Sequence, residues 1–178
     1  MFEVLGPRQT GVLDRLERTQ IVSEYQPVYI LSSLRTHAYR QALSPSRGDP
    51  PAPVLRSPAP TVAVMAESAL WFRCAGPALM AEQMSHLRRL ADADHLDLAI
   101  IAAETIMPTP VGHAFHLYGA ESVVVGIRGA KFISSDPELV GGYRTAFDAL
   151  YRCAEKGPAA VRLIEAARVR YEEERDNT

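Results

Sequence analysis

Apolar and polar positions follow two different rhythms along the chain, and the changes between them predict its elements. The densest signal runs from Gly112 to Asp136, GHAFHLYGAESVVVGIRGAKFISSD. Three short runs of β-branched and aromatic residues lie between glycines: His113 to Tyr118, Ser122 to Ile127 around Val123, Val124 and Val125, and Lys131 to Ser134. Such residues suit a pleated, half-buried ladder, and short Gly-containing connections favour antiparallel hairpins. A three-stranded meander is the expectation. The period then lengthens to three and four over Leu139, Tyr143, Ala146/Phe147, Leu150 and Ala154, which predicts a helix over 137–154. Asp136 stands at its N-cap, Pro137 at the first helical position, and Glu138 where the helix dipole favours a carboxylate. Gly157 and Pro158 punctuate the chain before a last helix with Val161, Ile164 and Ala167 inward. Residues 171–178, YEEERDNT, read as a charged, fraying tail.

Upstream, Val12, Leu13, Leu16 and Ile21/Val22 form a helical stripe within residues 10–25, bracketed by Gly6-Pro7 and Pro27. Residues 28–31, VYIL, read as a short strand or extended lead-in. A second helix is expected from Ser32 or Ser33 through Leu43. Residues 44–60 hold six of the thirteen prolines, which forbids a helix and a sheet ladder alike, so they read as an exposed connector. A strand begins at Thr61 with Val62 and Val64 on one side, interrupted at Glu67. Pro77 to Ala91 is a clear helix with Met80, Met84, Leu87 and Ala91 on one face, and His95 to Ala103 reads as a buried strand. The fold class predicted is α+β in a single domain spanning 1–178. An antiparallel sheet, the meander plus additional strands, packs against helices on one face, with helical N- and C-terminal segments.

Composition narrows the function classes. With 47% hydrophobic and 22% charged residues the chain is of average globular character, and 178 residues bury a sizeable core without staples. The net charge of −2 gives no bulk attraction to nucleic acid or acidic membranes. Cys74 and Cys153 are the only cysteines, in no metal-ligand spacing, so neither a metal nor a cofactor is expected. No signal peptide and no apolar run of membrane-spanning length is present, and a cytoplasmic location is the expectation.

No phosphate-binding glycine loop, nucleophile elbow or zinc-protease motif occurs. The chemistry-bearing candidates are scattered. His113 and His116, three apart on a predicted strand, point to opposite faces and cannot share a metal, but either is an acid/base candidate because histidine titrates near neutrality. Glu67 and Glu104, at strand ends, complete the catalytic candidates. Trp71, Phe72, Arg73 and Tyr118 are the ligand-binding candidates, an aromatic wall with a cation beside it. The plainer reading makes Glu67–Arg73 a surface pair of little worth and Cys74 a buried filler.

Three stretches in order resemble the C-terminal domain, of unknown function, of actinobacterial XRE-type, antitoxin-like helix-turn-helix regulators. They are LDRLERTQIVSEYQPVYILSSLRTHAYRQAL, VMAESALWFRCAGPALMAEQMSHLRRLADADHLDLAII and the meander continued to VRLI. The chain departs from that pattern at three places. Ile30 to Thr36 (ILSSLRT) stands where V-P-G-L-L-Q-T is usual, Gly126 where a carboxylate usually follows the valines, and Trp71-Phe72 where an arginine-rich stretch is usual. The chain begins where the helix-turn-helix would already have ended, so direct DNA binding is not expected of it. The resemblance implies an effector- or partner-binding domain tied to development or secondary metabolism. Its partner would be a small organic ligand or a small protein; a homodimer is compatible with this and not derivable from it. The alternative expectation is an enzyme recruited for cyclisation, isomerisation or other acid/base chemistry on a small organic substrate.

Overall fold

The computed structural model describes residues 3–5, 21–43, 60–127 and 130–177. In chain order the described elements are β1 (Glu3–Leu5), β2 (Val22–Gln26), a 3-10 turn (Ser32–Leu34), α1 (His37–Leu43), β3 (Thr61–Ala66), α2 (Ser68–Trp71), α3 (Pro77–Leu90), β4 (Leu96–Ile101), β5 (Phe115–Tyr118), β6 (Ser122–Ile127), β7 (Ala130–Ser134), α4 (Pro137–Cys153), β8 (Glu155–Lys156) and α5 (Pro158–Asp176). All eight strands join one sheet in the order β1-β7-β6-β5-β2-β3-β4-β8.

The meander forms as its pattern predicts. β5, β6 and β7 pair antiparallel in sequence, and Gly119 at φ +55° makes the turn between the first two. β1 adds antiparallel to β7, β2 to β5, and β8 to β4. Among the described strands only β2–β3 and β3–β4 are parallel, so the sheet is mostly antiparallel and packed with helices. A parallel pair needs a long crossover, and the β3-to-β4 connection supplies it with α2 and α3.

Helices cover both faces of the sheet, not one. The physical reason lies in β3 and β4, whose runs Ala63-Val64-Met65 and Ala99-Ile100-Ile101 are buried throughout and must be shielded on each side. Ala63, Met65, Leu96, Leu98 and Ile100 pack with Met80, Met84 and Leu87 of α3 and Ile164, Ala167 and Tyr171 of α5. On the opposite face Tyr25, Val64, Ala99, Phe115, Leu117 and Val123 pack with Val140, Phe147 and Leu150 of α4. Each large apolar side chain so buried contributes about 1.5–3 kcal/mol relative to exposure.

α4 starts as expected: Oδ1 of Asp136 accepts the N–H groups of Glu138 (3.0 Å) and Leu139 (3.5 Å). Four other expectations are corrected. Of the predicted N-terminal helix, residues 10–20 lie outside the described ones, but Val22–Gln26 is a central strand held by β3 and β5. Residues 28–31 form no strand, because Pro27 ends β2 and Ile30 and Leu31 turn inward to the core. The helix expected from Ser32 or Ser33 is broken at Arg35, which is extended (ψ 139°) between the 3-10 turn and α1. The tail is helical over its described part: α5 continues to Asp176, with Tyr171 fully buried and its hydroxyl donating to the Leu70 carbonyl at 3.0 Å. Ion pairs Arg168–Glu172 and Arg170–Glu174 at helical spacing line its outer side. The proline-rich connector, residues 44–60, lies outside the described residues except Pro60.

Candidate ligand-binding site

The segment between β4 and β5 crosses the sheet face that α4 covers, where the Tyr25 hydroxyl donates to the Val111 carbonyl at 3.2 Å. Between this loop and the start of α4 lies a cavity of about 570 Å³. Pro110, Val111 and His113 form the loop wall. The helix wall is Leu139, Gly142, Tyr143 and Ala146, one stripe at spacings of three and four, with Asp136 and Glu138 at the helix start. The two walls meet where Nε2 of His113 and the Tyr143 hydroxyl share a hydrogen bond of 2.9 Å, whose direction follows the imidazole tautomer. Burial pushes the Tyr143 hydroxyl above its ordinary pKa, so it stays a neutral phenol. Phe115 packs at a tilt of 59° against the Tyr143 ring, 4.9 Å between centroids, and supports it from the sheet side. The cavity is an open cleft, and its volume falls within the range of sites for small organic molecules.

The residues singled out in the sequence do not converge here, except His113. Glu67 closes the end of β3: its Oε2 accepts the Ala103 N–H at 2.8 Å and its Oε1 the Trp71 indole N–H at 3.2 Å. Arg73 pairs with Glu174 of α5 at 2.7 and 2.8 Å, not with Glu67. Trp71, 38% exposed, leans on Tyr171, and Phe72 meets Tyr29 edge-on at 4.7 Å. This aromatic group belongs to the α5 side of the sheet, away from the cavity. Glu104 is exposed in the β4–β5 loop and is not among the residues lining the cavity. Cys74 is partly buried against the α3–α5 core, which raises its thiol pKa.

His116 and His113 lie on opposite sides of the sheet. His116 faces Glu24 across the β2–β5 ladder, with Nδ1 to Oε1 at 3.6 Å, and its ring stacks on that of Tyr118. Glu24 escaped the sequence reading. It is buried and accepts the Ser33 hydroxyl at 2.7 Å. Burial works to raise its pKa, but the charge and hydrogen bonding of His116, the Ser33 hydroxyl and the charge of Arg35 outweigh it. The carboxyl therefore ionises below its ordinary 4.5. No local signal marks Glu24, because its importance depends on β2 being a central strand. Tyr143 and Leu139 did carry a signal, the helical stripe, but as core positions.

Among the described residues no group of three or more His, Cys, Asp or Glu side chains could hold a metal ion, and no helix is long and apolar enough to cross a membrane.

Residues 13–166 match the family model of a domain of unknown function, DUF5753. No curated protein matches the chain. Among solved structures it is similar to TrmBL2, an archaeal chromatin protein with a novel mode of DNA binding, at 12% identity and a TM-score of 0.46 over 88% of this chain. The chain spans about half of that protein's length, 54%. A likeness at that level says nothing of what this chain binds.

Proposed function

We propose that this chain, which belongs to the DUF5753 family, is an effector-binding domain of regulator type that takes a small organic molecule between the β4–β5 loop and α4. The observation that carries the reading is the cavity of about 570 Å³ in which the His113–Tyr143 pair joins an apolar bed of Pro110, Val111, Leu139 and Ala146, with Asp136 and Glu138 at the helix start. Both walls are well placed to report occupancy. The loop is tied to β2 through Tyr25, and α4 packs on the same face of the sheet, so a ligand pressing on either wall acts on that layer of the domain. The resemblance to the C-terminal half of helix-turn-helix regulators supports a role in development or secondary metabolism. The net charge of −2 supports action through a ligand or a small partner protein, without DNA contacts from this domain.

Native mass spectrometry of the protein purified from its host tests this directly. The expected result is a retained small molecule that is absent from Ala146→Trp, in which the new side chain fills the cavity. Equal retention by both proteins would place the ligand elsewhere.

The same pair favours one further reading, an acid/base enzyme. His113 hydrogen-bonded to a neutral phenol at the wall of a cavity is the arrangement in which an imidazole moves a proton to or from a bound substrate. Glu67 and His116 are engaged elsewhere and add nothing to it. Turnover of the retained molecule, abolished in His113→Ala with binding preserved, is the outcome that would favour the enzyme.

A further inference from the structure

We infer that the chain forms a twofold dimer, end to end, through the segments that leave the carboxyl ends of β2, β3 and β4. Among the described residues seven large apolar side chains are exposed, and five of them lie in these segments: Val28, Tyr29, Trp71, Ile106 and Met107. The three strands run parallel, so their exits meet at one end of the sheet. Hydrogen bonds tie the exits together there. The Ser68 hydroxyl donates to the Pro27 carbonyl at 2.8 Å, and Oε2 of Glu67 accepts the Ala103 N–H at 2.8 Å. Single exposed apolar residues are ordinary on a protein surface, but a group drawn to one place marks an interaction site. The residue types agree, since Trp, Tyr and Met are enriched where proteins meet.

Shape and charge select a second copy as the occupant. The exit from β4 carries a projection, with Ile106 92% exposed, Met107 beside it and Glu104 just before. That exit leads to the α4 side of the sheet. The exits from β2 and β3 carry a cradle on the α5 side, where Tyr29 meets Phe72 and Trp71 leans on Tyr171. At its edge Arg73 and Arg170 share one carboxylate, Glu174, so the trio is net positive. Glu104 is exposed and forms no ion pair among the described residues. A twofold axis in the plane of the sheet, across the strand ends, turns the α4 side of one copy to the α5 side of the other. Ile106 then meets the aromatic cradle of the second copy, Glu104 faces Arg73 of the partner subunit, and each contact occurs twice. One surface holds both halves of its own complement, whereas a foreign chain would have to supply both.

Five side chains are few for a stable interface, so a weak, concentration-dependent dimer is expected. Sedimentation equilibrium of the full chain over about three decades of concentration reads it, as a weight-average mass that climbs from one chain toward two. The emission of Trp71, the only tryptophan, is expected to shift to the blue in step as the ring loses water. Ile106→Glu, at so exposed a position that the fold is untouched, is expected to weaken association at least about tenfold and to abolish the shift. Glu104→Gln and Arg73→Gln are each expected to weaken the dimer about two- to tenfold, and the double variant no further. A wild type that stays a single chain at every concentration would overturn the proposal, as would a dimer that survives Ile106→Glu. Additive losses from the two charge variants would overturn the pairing of Glu104 with Arg73.

Discussion

Glu24 sits where a charge is costly, on a central strand and almost wholly out of water, and it is kept ionised by what surrounds it. Its native pKa lies below the ordinary 4.5, so the sign of the pH effect is fixed. The stabilisation is fully present above about 4.5 and is lost as pH falls through the native value. Thermal unfolding of the wild type is expected to move down in temperature on acidification below pH 5, and Glu24→Gln to flatten that slope. At pH 7 the same variant is expected to cost about 1.5–3 kcal/mol, the worth of hydrogen bonds to a charged group. An unchanged acid slope would mean the pairing with His116 and Ser33 carries no net stability. Glu67 offers the contrast. It looked like a catalytic carboxylate, yet both its oxygens are engaged in closing the β3 end, so its replacement should register as lost stability.

At the level of elements, Gln83 illustrates how one side chain fixes a connection. Fully buried on α3, it donates through Nε2 to the Leu34 carbonyl at 2.9 Å and accepts the Thr36 N–H through Oε1 at 2.7 Å. These two bonds hold the break between the 3-10 turn and α1. Gln83→Leu keeps the volume, leaves both backbone groups unpaired, and is expected to cost about 2–4 kcal/mol. Denaturant unfolding measures the loss, and faster amide exchange in His37–Leu43 localises it. Elements of this kind also show what was legible beforehand. The meander, β3, β4, α3 and α4 are written in local rhythm, with caps and glycines to mark their ends. β2 is not. Its VSEYQ is short and polar, it follows a stripe with helical spacing, and it becomes a strand through pairing with β3 and β5, some forty and ninety residues away. With β2 misread, Glu24 and its partners were out of reach, and so was the cavity, whose walls meet only after α4 folds onto the meander. The end of α5 was lost for a similar reason: its charges look solvated, while Tyr171 among them is the anchor.

For the whole molecule, one sheet separates two cores, and stability and binding should therefore respond to different mutations. Tyr171 belongs to the α5 side, fully buried, with its hydroxyl on Leu70 and its ring beneath Arg73. Tyr171→Ala removes a large aromatic side chain and is expected to cost about 3–5 kcal/mol. The cavity lies on the α4 side and takes no residue from α5. At a temperature where this variant is still folded, its affinity for a cavity ligand should match that of the wild type. Tyr143→Phe should do the reverse. It deletes only the hydroxyl that pairs with His113, in a half-buried position where the lost bond is worth about 1 kcal/mol of stability or less. It also removes a polar group from the binding wall. Thermal melts and titrations with the ligand retained by the wild type, run on the two variants, form a two-by-two comparison. A large loss of affinity in Tyr171→Ala would mean that the sheet transmits strain between its faces, so that the two cores do not act as independent layers. Unaltered affinity in Tyr143→Phe would leave binding to the other lining residues, with the His113–Tyr143 pair serving only to close the loop onto α4.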